Sequence, residues 1–440
     1  MLPVESINGL NWKAVGLLLA LYFGVLFVAF QTKVSGLILS FQFNILYLIP
    51  ILLLLVNYAG LARKVTKPSD LFMYYFFYVV ILPSQALIFL TKDGFNLESV
   101  FHSTAICLSF LFLVVGTRKH QFKIKRVAFS SQNYSYIIFT LAALVLVLLI
   151  IILGFQFNLN FDIRQTYIIR GDFKEEFGGN RLVNILIQYL QYVIAPLLLC
   201  IGLFRKNITW ISLAIFCELY IYSITSFKTA FFLPLFIFVI AKLSRKIISS
   251  NFGMLSLKLL VFIFLFCILI DGLFFSESIL YRNIFSSLFL RRTFVMPGLL
   301  TNFYMEYFNE NGLNFMSNSF FGRLIVNLPE QYNNALPKII GLSYFGSDEQ
   351  SANANFLADA YANFGIPGMF IYSFLVSVFL KAYDTFSNSF NPSIGFPLVI
   401  VLGTFFTNSA LLSCLIGHGG LFLLGLMYFY SSKKKTPSLS

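Results

Sequence analysis

Charge is what this sequence has least of. Only 11% of its 440 residues are charged and 58% are hydrophobic, whereas a soluble domain carries about 25% charged residues. A chain this apolar cannot cover a water-exposed surface, so part of its solvent is lipid. Histidine is scarce, and the three present (His102, His120 and His418) are scattered, which leaves no metal constellation. The five cysteines (Cys107, Cys200, Cys217, Cys267 and Cys414) lie inside apolar runs without a CxxC pair. That spacing argues against a zinc site and a disulfide framework. No Walker loop and no GxGxxG before a helix occurs, so nothing points to an ATPase and no cofactor is expected. Long polar linkers, tandem repeats and low-complexity runs are missing too. The chain therefore reads as a single integral membrane domain over residues 1–440.

What is present is a succession of apolar runs. A helix needs ~20 apolar residues to cross the hydrocarbon core. Runs near 14–31, 38–59, 71–90, 99–116, 136–154, 185–204, 209–226, 230–243, 259–275, 366–383, 395–411 and 413–430 predict an all-α, polytopic bundle. That makes about twelve spans, the last two divided by the interrupted stretch from Asn408 to His418. The first run lacks a strongly basic leader and a small-residue cleavage site, so it reads as an uncleaved span rather than a signal peptide. Pro50, Pro83, Pro196 and Pro234 fall within spans, where neighbouring helices can satisfy the freed backbone groups. The 55 Phe residues read as lipid-facing filler.

The net charge of +13 comes from short basic clusters between apolar runs. This is a topology signal rather than a nucleic-acid surface. Arg63, Lys64 and Lys67 follow the second span, and Arg118, Lys119, Lys123, Lys125 and Arg126 the fourth. Arg205 and Lys206 follow the sixth. Lys242, Arg245, Lys246 and Lys258 follow the eighth, Lys381 the tenth, and Lys433, Lys434 and Lys435 the twelfth. Each cluster lies after an even-numbered span, which predicts that both termini are cytoplasmic.

Two long segments then fall on the outer side, residues 155–184 and 276–364, and long structured loops are where function tends to reside. The first carries Arg164, Arg170, Lys174 and Arg181, cations the positive-inside rule disfavours there. Arginine presents a fork of donors that matches phosphate oxygens. The competing reading is solvated charge balanced by Asp162, Asp172, Glu175 and Glu176. The second segment carries Arg282, Arg291, Arg292, Arg323 and Lys338. Met296, Leu300, Phe303, Tyr304, Tyr307 and Phe308 recur at helical spacing and predict an amphipathic helix, packed on the bundle or lying along the membrane surface. Arg291 and Arg292 would sit near its start, an awkward place for cations unless an anion binds there. Tyr304 and Tyr307 could stack on sugar rings or pack on lipid headgroups. Asn353, Asn355, Asp359 and Tyr361 lie on a predicted short helix, where they could bind sugar hydroxyls or cap and join helices. Inside the bundle, Glu218 and Asp271 are ionisable groups, and Lys228 lies in the tight outer turn of SFKTA; such groups are costly in a membrane and often functional.

This pattern resembles the O-antigen polymerases, the Wzy-type oligosaccharide repeat-unit polymerases. Topology carries the resemblance over most of the chain, and three places sharpen it. SITSFKTAFFLPL is similar to the family's small-polar turn with a basic residue, here Lys228. LFLRRTFVMPG and the following YMEYF resemble the start of its large periplasmic loop, here with Arg291, Arg292, Tyr304 and Tyr307. NANFLADAYANFGIPG resembles its Asn-rich segment leading into the next span. The resemblance implies a GT-C-like architecture with short amphipathic helices in the periplasmic loop, in the bacterial inner membrane. It also implies an inverting glycosyltransferase whose substrate is an undecaprenyl-diphosphate-linked oligosaccharide. The partners would be membrane lipids and a chain-length regulator protein, with no nucleic acid and no metal. The outer arginines suit a leaving diphosphate, because preorganised cations stabilise developing negative charge. Glu306 and Asp359 are candidates for the base on the acceptor hydroxyl. The sequence departs from the related O-antigen ligases, which are expected to carry a His in the large loop; residues 276–364 contain none. A lipid-linked oligosaccharide flippase is the competing reading, though a transporter would more often keep its polar groups near the midplane.

Overall fold

The computed structural model describes residues 11–34, 36–37, 45–91, 96–118, 122–124, 129–155, 157, 159–160, 162–274, 283–319, 322, 332, 334–347 and 350–431. Within them the chain is almost entirely helical. Helices α1 (Trp12–Gln31), α2 (Leu48–Ala59), α3 (Pro68–Leu90), α4 (Leu97–Arg118) and α5 (Ser131–Leu153) form the first half. After them come α6 (Ile163–Phe177), α7 (Arg181–Arg205), α8 (Ile208–Thr225), α9 (Lys228–Ser249) and α10 (Phe252–Leu273). A π-helix, Ser286–Val295, runs directly into the α-helix Met296–Asn311, and the two together are α11. The chain then makes α12 (Leu336–Phe345), α13 (Phe356–Ser387), α14 (Pro392–Phe406), a π turn at Ser413–Gly417 and α15 (Gly420–Tyr428).

Eight of these helices are long and apolar enough to cross a membrane: α1, α3, α4, α5, α7, α8, α10 and α13. Ile45–Ala59 and Pro392–Phe406 are apolar but shorter. Many exposed side chains of these helices are large and apolar, among them Phe262, Leu265 and Leu269 on α10 and Leu144, Val147 and Ile151 on α5. That inversion of the soluble pattern is what a lipid-facing surface requires. The chain is a multi-pass membrane protein.

Proline marks where the helices change register. Pro83, Pro196 and Pro297 each follow a π segment, at Phe77–Ile81, Leu190–Ile194 and Ser286–Val295. Proline lacks an N–H and its ring clashes with the carbonyl four residues back. The wider π turn accommodates that ring without breaking the helix, and such turns often mark functional positions. In α13 the break at Gly365 is sharper. Its φ of 64° is open to glycine and strained for other residues, and Pro367 follows.

Contacts sort the helix ends into two groups. At one end Arg118 donates to the Gly60 carbonyl, and Arg205 Nη2 lies 2.7 Å from Ser131 Oγ. There too Lys67 pairs with Asp384 and Phe129–Ser130 forms a short parallel bridge with Tyr430–Ser431. Of the basic residues that follow even-numbered spans, Lys67, Arg118 and Arg205 thus lie at this end. The opposite end holds Glu98 bonded to Asn309, Asp271 bonded to Ser286, and Arg170 bonded to Ser226.

Segment 276–364 is less of a loop than its polarity suggests. Where α11 is described it is a bundle helix rather than a surface one. Pro297 through Glu306 are all buried, packed between α3 and α13. Gly298 sets the distance: a Cβ there would lie 2.5 Å from the Ser84 nitrogen. Of the two expected arrangements, packed on the bundle or lying along the membrane surface, the packed one is what the structure shows, because the helix's polar residues bond to other helices instead of to solvent.

Candidate functional site

The arginines expected on the outer side come first. Helix α11 begins before them, at Ser286, and Asp271 of α10 caps it. Asp271 accepts from the Phe285 nitrogen at 2.9 Å and from the Ser286 nitrogen at 2.7 Å. A carboxylate at a helix N-terminus complements the dipole. Arg291 and Arg292 therefore sit within the helix and not at its start, and Asp271 answers the dipole without a bound anion. Arg291 is half-buried and Arg292 exposed. Arg282 and Arg323 lie outside the described residues, as do His120, Lys119, Lys125 and Arg126.

The aromatic and polar residues of α11 and α13 bind each other. Tyr304 is buried, and its hydroxyl donates to the Ala352 carbonyl at 3.0 Å, so its ring has no free face for a sugar. Tyr307 is half-buried against Phe308, and burial pushes its phenol upward while a hydrogen bond with Ser343 pulls it back. Glu306 is buried and accepts from the Tyr344 hydroxyl at 2.8 Å. Asn355 caps α13 by accepting from the Leu357 and Ala358 nitrogens. It also donates to Pro297 O and Thr301 Oγ1. Of its two sequence readings, capping and joining helices is the one the structure supports. Asp359 accepts from Asn363 Nδ2 on one oxygen and from the Leu411 nitrogen on the other, both at 3.0 Å. Tyr361 meets His102 Nε2 at 3.0 Å and Asn309 at 3.3 Å. Asn353 is exposed, near Ser351 Oγ at 3.1 Å.

Two of the other cations expected on the outer side, Arg170 and Lys228, meet at one turn. Arg170 of α6 donates to the Ser226 carbonyl at 2.8 Å and lies over the Phe227 ring. Lys228, half-buried, opens α9 two residues later, and that helix has no side-chain cap. Ser226 takes a left-handed φ of 51° to make the turn. Two cations and the N-terminus of a 22-residue helix share this point, an arrangement that attracts anions. Arg164 begins the same helix as Arg170, but its side chain lies outside what the structure describes.

Directly beneath this turn is a polar seam that hydropathy alone did not assemble. Thr229 is exposed and accepts from Gln191 Nε2 at 3.0 Å. The Tyr192 phenol is hydrogen-bonded to Thr229 and lies close enough to Glu218 of α8 to interact with it electrostatically. Tyr192 also meets the His418 ring edge-on at 5.4 Å, and His418 Nε2 lies 2.9 Å from Ser409 Oγ. His418 and Ser409 belong to the non-α stretch between α14 and α15, which Asp359 anchors through Leu411. Glu218 and His418 were visible singly in the sequence. The remaining signal was Gln188, Tyr189, Gln191 and Tyr192 inside an otherwise apolar span. In comparisons with known proteins, no family model, no curated protein and no solved structure matches the chain.

Proposed function

We propose that the protein is a Wzy-type repeat-unit polymerase. It joins undecaprenyl-diphosphate-linked oligosaccharides into O-antigen or capsule at the outer face of the bacterial inner membrane. In this reading the bundle has about twelve spans, a GT-C-like arrangement and both termini in the cytoplasm. The observation that carries it is the meeting of Arg170, Lys228 and the N-terminus of α9 at one turn. The acceptor hydroxyl attacks the anomeric carbon of the donor, and the bond to the diphosphate breaks with inversion. The cations at the turn stabilise the charge that develops on the leaving diphosphate. The diphosphate bond supplies the energy, so no nucleotide is consumed. Arg291 and Arg292 keep a supporting role along the lipid-linked substrate.

A deletion strain tests this. It is expected to display single repeat units without long chains, and long chains persisting would remove the polymerase reading. Lys228→Ala in the complementing copy is expected to slow chain extension by about a hundredfold at normal protein abundance, read from glycan ladders. A second reading, a lipid-linked oligosaccharide flippase, is favoured by the interrupted stretch between α14 and α15, since transporters place sites at discontinuous helices. A deletion strain with no surface repeat unit at all would select it.

A further inference from the structure

Glu218 is 2% exposed, and both of its carboxyl oxygens have no hydrogen-bond partner among the described residues. It lies seven residues before Thr225, the last residue of α8, ~10 Å along the helix axis and below the Arg170–Lys228 turn. The seam around it holds other open positions. Gln188 Oε1 and His418 Nδ1 are also buried without a partner. Gln188 lies beside the residue that precedes His418, since a Cβ on Gly417 would lie 3.9 Å from Gln188 Oε1.

Buried polar atoms in folded proteins are nearly always paired, and exceptions point to a functional group or a missing ligand. Here the open atoms of Glu218 and Gln188 are acceptors. What completes them is a donor-rich ligand, which for a saccharide substrate means its hydroxyl groups. Gln188, Tyr192 and His418 are half-buried and Thr229 is exposed, so the seam keeps an accessible edge next to the turn. By contrast, the earlier base candidates are already engaged: Asp359 has a donor on each oxygen, and Glu306 holds Tyr344.

We propose that the acceptor sugar is received in this seam and that Glu218 is the catalytic base. This rests on the polymerase reading. The acceptor oxygen forms the new bond to the donor's anomeric carbon, and its proton passes to a Glu218 carboxylate oxygen. The anomeric carbon–oxygen bond breaks and its electron pair leaves with the diphosphate toward Lys228 and Arg170. Tyr192 swings from Thr229 to admit the acceptor hydroxyl.

The test is purified, reconstituted protein with its lipid-linked repeat unit, as wild type, Glu218→Gln and Glu218→Asp. Glu218→Gln is expected to lower the rate constant for chain extension by a factor of about 100 or more. Its affinity for the lipid-linked substrate should stay within a few-fold of wild type, and its melting temperature should be no lower. Glu218→Asp keeps the carboxylate at shorter reach and is expected to retain intermediate activity. If Glu218→Gln extends chains at the wild-type rate, Glu218 is not the base and the polymerase reading stands. If Glu218→Gln loses activity and folding together, and Glu218→Asp is as active as wild type, the role is structural and the proposal fails. Wild-type protein that extends no chains would instead remove the polymerase reading itself.

Discussion

Two buried carboxylates in the same bundle live in opposite conditions. Asp384, near the C-terminal end of α13, is 0% exposed and has donors on both oxygens. Ser69 gives its backbone N–H at 3.0 Å and its hydroxyl at 2.6 Å, and Lys67 Nζ sits at 3.2 Å. Lys67 is itself held by the Thr117 carbonyl at 2.6 Å. The cluster ties α13, α3 and α4 together where the basic loops gather. Glu218 is equally buried and has none of this. A buried charge is tolerated when paired and hydrogen-bonded, and is costly otherwise. The difference teaches that burial alone does not identify a structural carboxylate. The count of donors does, and it separates a helix clamp from a group kept for chemistry.

The largest expected effect is on the clamp. Asp384→Ala leaves Lys67 with its charge partly buried and frees the start of α3. It should cost about 3–5 kcal/mol, measured as thermal unfolding in detergent and as steady-state abundance. Loss of less than about 1 kcal/mol, the range of exposed pairs, would break the contrast. Asp271 falls between the two extremes. It is 4% exposed and has two backbone donors but, among the described residues, no cation. Asp271→Ala removes the cap of α11, and about 2 kcal/mol is expected from a lost cap at a helix N-terminus. The same unfolding assay would read it, and hydrogen exchange should rise first at Ser286 and its neighbours.

The sequence made some of this legible. Long apolar runs were enough for the spans of α1, α4, α5 and α10, since the bilayer imposes their length directly. Segment 286–311 was harder. Its Arg, Asn and Glu residues lower its hydropathy, and only tertiary packing against α3 and α13 reveals that it is interior. The start of α11 was misjudged for a related reason. The π register places Arg291 and Arg292 inside the helix, and hydropathy does not distinguish π from α turns. Asn355 was legible as a possible cap, because its position before an apolar run is local information. The pairing of Tyr361 with His102, 259 residues apart, has no local signal. Glu218 was visible as an ionisable residue in an apolar run, but that no partner reaches it among the described residues is a property of separate helices packed together.

That unpartnered carboxyl supplies the finest measurement. Glu218→Leu replaces an unpartnered buried carboxyl with an apolar group of similar size. Leaving a polar group unsatisfied costs about 1–3 kcal/mol, so the substitution should stabilise the protein by about 1 kcal/mol after some loss to shape mismatch. Asp384 must lose stability under the same exchange to Leu, because its removal takes the counter-ion from Lys67 and the acceptor from Ser69. The two substitutions, measured side by side in one detergent, should shift the unfolding midpoint in opposite directions. Loss of stability in both would mean that Glu218 has a partner in the membrane, and the distinction between clamp and chemical group would then rest on activity alone. A gain at Glu218 together with lost function is the pattern of a residue retained at a cost to the fold, as functional sites in proteins commonly are.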